Sequence, residues 1–191
     1  MMARSARLIA GTVLVLLVSV ANAGAAIALF GSYWDNVARM TAHNDAAKVQ
    51  QLVGNGADPN EVDDDGRTGL QIAAINDNVQ IAAILIRASA HLDLKDKFGN
   101  TALHYAVERD HLGMARLLLD VGARVDPQNR NGMTPLMIAA SRGYIAIVRV
   151  LLAKGANPQK TDFTGRDAVS WAEDSHRTAV VDALRRSAAE R

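Results

Sequence analysis

The stretch DKFGNTALHYAVERDHLGMARLLLDVGARVD (residues 96–126) contains every element that decides the fold of this chain. Turn-forming residues around Gly99 precede Thr101, a residue type that accepts backbone N–H bonds at helix starts. A short apolar helix follows, and residues 110–113 are predicted to break it. A second helix is predicted over residues 114–120, and Gly122 ends it. The order is therefore turn, helix, loop, helix and glycine.

The same order recurs every 33 residues. The turn glycines show the period, and they are Gly66, Gly99, Gly132 and Gly165. Two short helices cannot bury their apolar faces alone, so units of this kind must stack on one another. The first and last units depart from the pattern, as expected of terminal caps that face water on one side. The predicted units are 33–62, 63–95, 96–128, 129–161 and 162–191.

Two segments, TPLMIA (residues 134–139) and TALHYA (residues 101–106), resemble the T-P-L-H-x-A signature of the ankyrin repeat. The segment IVRVLLAKGAN (residues 147–157) resembles the second helix of that family. The resemblance covers the chain from about Tyr33 to its end. It implies an all-α solenoid of stacked helix-turn-helix units joined by β-turn or hairpin loops. It also implies that His104 bonds to backbone between neighbouring turns.

The second unit departs from this pattern at two positions. Gln71 replaces the signature histidine, and Ser89 stands where the other units have glycine at the end of the second helix. A serine forced into the left-handed region there costs on the order of 1 kcal/mol relative to glycine.

Composition excludes several classes of protein. The 21 Lys and Arg residues nearly balance the 20 Asp and Glu residues, for a net charge of +1. This balance argues against a nucleic-acid-binding protein, which usually shows a basic excess. The absence of cysteine excludes disulfides and zinc sites with thiolate ligands. With only 4% aromatic residues, the core must be aliphatic.

Residues 1–23 have the layout of a secretory signal: basic residues at Arg4 and Arg7, an apolar run, and a small-x-small site ending at Ala23. We expect cleavage after Ala23, a linker over residues 24–32, and a bacterial protein that is periplasmic or secreted. The apolar stretch continues to Phe30, so the alternative is an uncleaved anchor over residues 8–30, in the inner membrane with the repeats facing the periplasm.

No catalytic or metal-binding pattern survives inspection. The acidic turn at residues 61–66 resembles the start of a calcium loop, but its twelfth position is Ile72, which cannot bind calcium. We interpret its acids as a solvated turn. The five histidines lack metal-ligand spacing, and no nucleophile, base and acid combine. We therefore predict no enzymatic activity, no cofactor and no metal.

The ankyrin resemblance implies a concave binding face made of the turn tips and first helices. Side chains that vary between units on this face are predicted to contact a partner, and Trp, Tyr, Phe and Arg among them are favoured interface anchors. The helix positions have a second interpretation, which is packing between neighbouring first helices. The predicted contact residues are Arg67, Lys97, Phe98, Asn100, Tyr105, Arg130, Met133, Ile138, Phe163, Arg166 and Trp171.

The function implied by the resemblance is binding of another protein outside the cytoplasm, by a monomer and without nucleic acid. Small exported bacterial ankyrin proteins, which this chain resembles, are tied to oxidative-stress protection, so a defence enzyme is one implied partner. The alternatives are a membrane-tethered scaffold, if the N-terminal segment is retained, and a secreted, host-directed effector.

Overall fold

A computed structural model describes residues 36–189, with side chains to Ser187. Within that part the structure is all-α, as predicted, and an isolated antiparallel bridge joins Val62 and Thr68. The helices are α1 (Val37–Ala42), α2 (Ala46–Gly54), α3 (Gly69–Ile75), α4 (Val79–Arg87), α5 (Ala102–Glu108), α6 (Leu112–Asp120), α7 (Pro135–Arg142), α8 (Ile145–Ala153), α9 (Ala168–Asp174) and α10 (Thr178–Ala189).

The helices form two layers. The odd-numbered helices pack on one another in chain order, the even-numbered helices form a second row in the same order, and each odd helix also contacts the even helix that follows it. This is the stacking that the 33-residue period predicts. None of the helices in the described part has the length and apolar character needed to cross a membrane. The predicted signal segment, the anchor alternative and the linker lie outside the described residues.

The core between the layers is aliphatic. One leucine from each odd helix of the middle units, Leu70, Leu103 and Leu136, is at most 1% exposed. Alanines at the next inward position, such as Ala106 and Ala139, are fully buried and let neighbouring helices approach closely.

Three of the odd helices, α3, α7 and α9, begin at side-chain caps in the 33-residue register. At the start of α5 the predicted cap, Thr101, makes no such bond, and its hydroxyl lies 3.0 Å from His104 Nδ1 instead. The hydroxyls of Thr68 and Thr134 each accept the backbone N–H of the third residue along, at 3.3 Å, and the carboxylate of Asp167 does so at 2.8 Å. These bonds satisfy donors that a helix start otherwise leaves free.

The loop inside each unit is shorter than the sequence suggests. Helix α6 begins at Leu112, two residues before the predicted start, so Leu112 and Gly113 are helical. The chain reverses at Asp110, whose φ is +59°. The corresponding residue of every unit is left-handed, and four of these five are not glycine: Asn44, Asp77, Asp110 and His176, with Gly143 as the fifth. Asn, Asp and His enter this region more readily than most residues.

Ser89 adopts the left-handed conformation expected of it, with φ of +64°. Its counterparts Gly56, Gly122 and Gly155 have φ between +88° and +99°. The second unit therefore carries strain at its helix end that glycine avoids in the others.

A five-residue hairpin turn connects each unit to the next. We call these turns tips, and they comprise residues 63–67, 96–100, 129–133 and 162–166. In each tip the first N–H donates to the last carbonyl, at 2.9 to 3.1 Å. Successive tips stack directly, since the Arg130 N–H donates to the Phe98 carbonyl at 3.0 Å and the Phe163 N–H to the Asn131 carbonyl at 3.4 Å.

Buried side chains connect successive units by hydrogen bonds. His104 accepts the Thr101 N–H on Nδ1 at 3.1 Å, so its protonated Nε2 donates to the Met133 carbonyl in the next tip at 3.2 Å. In the preceding unit Gln71 makes the equivalent bond to the next tip, where its Nε2 donates to the Asn100 carbonyl at 2.7 Å. Met137 holds the equivalent place in the fourth unit, where its sulfur accepts the Thr134 N–H but has no proton to donate onward.

The buried, hydrogen-bonded ring of His104 predicts a pH dependence of stability. Burial lowers the pKa of His104 from 6.5 to about 4, although its bond to the Met133 carbonyl acts in the opposite direction. Since the folded pKa lies below the unfolded one, this contribution to stability is complete above about pH 6.5 and is lost as the pH falls toward 4. His104→Gln keeps the bonds that Gln71 demonstrates, without a titrating group. In urea unfolding, the stability of the wild type should fall relative to this variant by up to about 3 kcal/mol across that range. Parallel profiles would contradict the prediction.

The stacking of tips predicts a large effect at Gly132. A Cβ at Gly132 would lie 2.6 Å from the Phe163 nitrogen, whereas at Gly165 it would meet nothing within 4 Å. Both glycines are left-handed, with φ of +76° and +83°. Gly165→Ala should therefore cost only the conformational term of about 1 kcal/mol, and Gly132→Ala about 1–3 kcal/mol more, in denaturant titrations. Equal losses would show that tip stacking does not constrain the fold.

Candidate functional site

The first residue of each tip is an Asp or Asn that holds the turn in shape. These residues are Asp63, Asp96, Asn129 and Asp162. In the last tip, Asp162 Oδ1 accepts the Thr164 N–H at 2.8 Å and the Arg166 N–H at 3.0 Å, and the other three make the same pair of bonds. The tips are therefore fixed by side chains as well as by main-chain bonds.

The second polar atom of the same side chains holds a neighbouring side chain. Asp162 Oδ2 accepts the Trp171 indole N–H at 3.0 Å, and Asp96 Oδ2 accepts the hydroxyl of Tyr105. Asp63 Oδ2 accepts Nε and Nη2 of Arg67 at 2.9 and 2.8 Å. Asn129 Nδ2 donates to Asn100 Oδ1 at 3.1 Å. Each tip thus orients one predicted contact residue.

The sequence does not predict this linking role of the tip Asp and Asn residues. The interpretation of the second unit's acids as a solvated turn fits Asp64 and Asp65 but not Asp63, whose side chain is only 18% exposed. Burial alone would raise the pKa of Asp63, but hydrogen bonds from Arg67 outweigh it and hold that pKa below the usual value. The available signal was the 33-residue spacing of the four Asp and Asn residues.

The pKa of Asp162, in the last tip, is set by the same two opposing effects, burial and hydrogen bonding. Asp162 is 5% exposed, and burial alone would raise its pKa. Bonds from the Thr164 hydroxyl, from two tip N–H groups and from the Trp171 indole outweigh burial and keep the pKa of Asp162 low. At the second tip, burial and the bond to Asp96 raise the pKa of Tyr105 to about 12. Asp162 is therefore an ionised acceptor at neutral pH, and Tyr105 a neutral donor.

Two adjoining clefts lie between the tips and the odd helices. One has a volume of about 420 Å³ and the other about 350 Å³, and both are lined by Arg130, Asn131 and Met133. We call the surface that they form together the tip groove. The first cleft is also lined by Phe98, Asn100 and Ile138, among others, and the second by Phe163, Arg166 and Trp171, among others.

Eight of the eleven predicted contact residues line the tip groove. Arg67, Lys97 and Tyr105 line neither cleft. Arg67 is held by Asp63 and by Asp65, the latter at 3.0 Å. The Lys97 ammonium donates to the Asp64 carbonyl. Ile72, the counterpart of Ile138 and Trp171 in the second unit, is 4% exposed and packs in the core, as the alternative interpretation of the helix positions allowed.

Two phenylalanines stand out at the groove. Phe98 is 63% exposed and Phe163 is 74% exposed. Their backbones are bonded to the tip between them, that of Arg130 and Asn131. Phenylalanine is among the residue types enriched in protein–protein interfaces, and these two rings are available for contact.

The two arginines of the groove differ in their surroundings. The Arg166 guanidinium stacks 3.8 Å from the centre of the Trp171 ring and lies 3.3 Å from Asp174 Oδ2. Arg130 is exposed, and within residues 36–189 no hydrogen bond or ion pair reaches its guanidinium. Over the same residues, no group of three His, Asp or Glu side chains is placed to hold a metal ion.

Comparison with known proteins assigns the chain to a family. A family model described as ankyrin repeats (3 copies) matches residues 37–129 and again residues 121–190. Together these matches span the two rows of helices. A comparison with curated protein sequences finds no match.

The Asp162 linkage can be tested with Asp162→Asn. Asn129 shows that an asparagine still accepts the two tip N–H bonds, but an amide nitrogen cannot accept the Trp171 indole N–H. We expect about 1 kcal/mol lower stability and stronger acrylamide quenching of Trp171, measured with Trp34→Phe as the background. Unchanged quenching would mean that Asp162 does not position the indole.

Proposed function

Because the chain belongs to the ankyrin-repeat family, we propose that it is a non-enzymatic module whose partner protein docks in the tip groove. Ankyrin repeats generally mediate protein–protein interaction. The observation that carries the choice of surface is the exposure of Phe98 and Phe163 beside two adjoining clefts. Aromatic anchors next to pockets are the usual centre of an interface.

The groove is built to stay rigid without a partner. Tip stacking, the Asp and Asn turn bonds and the side chains that they hold all exist in the isolated chain. A surface that is ordered before binding loses little conformational entropy when the partner arrives. This supports recognition by a stiff, pre-formed face.

Photo-crosslinking tests the surface directly. Benzoylphenylalanine placed at Phe98 or Phe163 should capture a partner in the cells that make the protein. The same group at Val79 or Val121, exposed apolar positions of the even-numbered row, should not. Phe98→Ser with Phe163→Ser should then weaken binding of the purified partner at least tenfold. Val79→Ser with Val121→Ser should change binding less than twofold, with both proteins melting near the wild type. Equal capture at all four positions would refute the groove.

We also propose that the repeats act outside the cytoplasm, in a bacterial periplasm or beyond. Support comes from the basic, apolar and small-residue sections of residues 1–23. Mass spectrometry of the mature protein should find Gly24 at the N-terminus, and an intact Met1 in the membrane fraction would favour the tethered scaffold instead. Recovery from culture supernatant would favour a secreted effector. An oxidative-stress defence enzyme is the proposed partner class, and the identity of the crosslinked protein tests it.

A further inference from the structure

Arg130 is the unsatisfied charge of the tip groove. It occupies the tip between the two exposed rings, and it lines both clefts. Its backbone N–H donates to the Phe98 carbonyl, but its guanidinium has no hydrogen-bond or ion-pair partner among residues 36–189. A guanidinium presents five N–H donors in a planar fork that matches a carboxylate.

The other cations of the tips are engaged. Arg67 is neutralised by Asp63 and Asp65, and Arg166 is stacked on Trp171 and faces Asp174. The Lys97 ammonium rests on a backbone carbonyl of the preceding tip. Arg142, which also lines the first cleft, lies 3.7 Å from Glu108 Oε1. Among the cations of the groove in residues 36–189, Arg130 is therefore the one without an ion pair, and it is the donor open to a negatively charged group.

Each cleft combines apolar and polar lining beside that donor. Met133 lines both clefts, Phe98 and Ile138 line the first, and Phe163 and Trp171 line the second. Charged groups lie there too, Glu108 and Arg142 in the first cleft and Asp162 in the second. Each cleft thus offers apolar contacts for one large side chain, so that two such side chains can flank a carboxylate at Arg130.

We propose that the partner presents an extended segment in which an Asp or Glu pairs with Arg130 and flanking large apolar side chains fill the two clefts. A carboxylate at a guanidinium forms charge-assisted bonds that also fix register. The exposed Asp64 and Asp65 two tips away repel a second acid in that direction, which restricts where the acid can sit. This inference rests on the proposed function, because it names what the tip groove recognises.

A selection from phage-displayed random 12-residue peptides on the full chain tests the chemistry. Peptides recovered by the wild type should be enriched in Asp or Glu next to large apolar residues. A synthetic peptide of the consensus should bind Arg130→Glu at least tenfold more weakly. Arg149→Glu, the same change at an exposed arginine of α8, should alter the dissociation constant less than twofold.

A double-mutant cycle isolates the pair. Replacing the peptide acid by its amide should weaken binding to the wild type but not to Arg130→Gln, and the salt dependence should disappear in the same variant. Peptides without acidic enrichment that still lose binding in Phe98→Ser would overturn the acidic segment and leave the groove intact. A selection that yields no peptide dependent on Phe98 would overturn both proposals.

Discussion

The last three tips of this protein lie directly on one another, and the tip groove depends on that contact. The main chain of the following tip occupies the space that a side chain would take at Gly99 and Gly132, where a Cβ would lie 2.7 and 2.6 Å from the next nitrogen. The contact lets the Arg130 and Phe163 N–H groups bond across units. It brings side chains from three units into adjoining clefts, which no single unit could build.

The Asp and Asn residues that open the tips connect the scaffold to the predicted contact residues. One atom of each side chain shapes the turn, and the other holds an arginine, tyrosine, asparagine or tryptophan. The residues that shape the turns therefore also position predicted contact residues. Arg130 is the exception on the face, because its guanidinium is held by nothing in the described chain, and this difference distinguishes it from Arg67 and Arg166.

The sequence predicts the repeating parts well and the cross-unit contacts poorly. Period and residue type predict the helix pairs, the strain at Ser89 and the threonine caps, of which Thr68 and Thr134 form theirs and Thr101 does not. The bond from His104 to the next tip is implied by the resemblance to ankyrin repeats. The left-handed loop residues Asn44, Asp77, Asp110 and His176 share a position and mark the helix break, but the sequence does not predict how short the loop after them is. The pairing of Arg67 with Asp63, and of Arg166 with Trp171, requires the three-dimensional turn. For this reason the sequence predicts candidate contact residues without separating engaged side chains from free ones.

Met137 has no proton to donate to the next unit, and this bears on how the array unfolds. Gln71 and His104 each pin a unit to its successor through a buried bond, but the last unit is attached without one. The end units of a linear array have a neighbour on one side only, so they open more easily than the middle units. The last unit carries Phe163, Arg166 and Trp171, which line the second cleft. The proposed partner, bound in the second cleft, would add the cross-unit contact that Met137 does not provide, so binding should slow amide hydrogen exchange in α9 and α10 more than in α3 and α4.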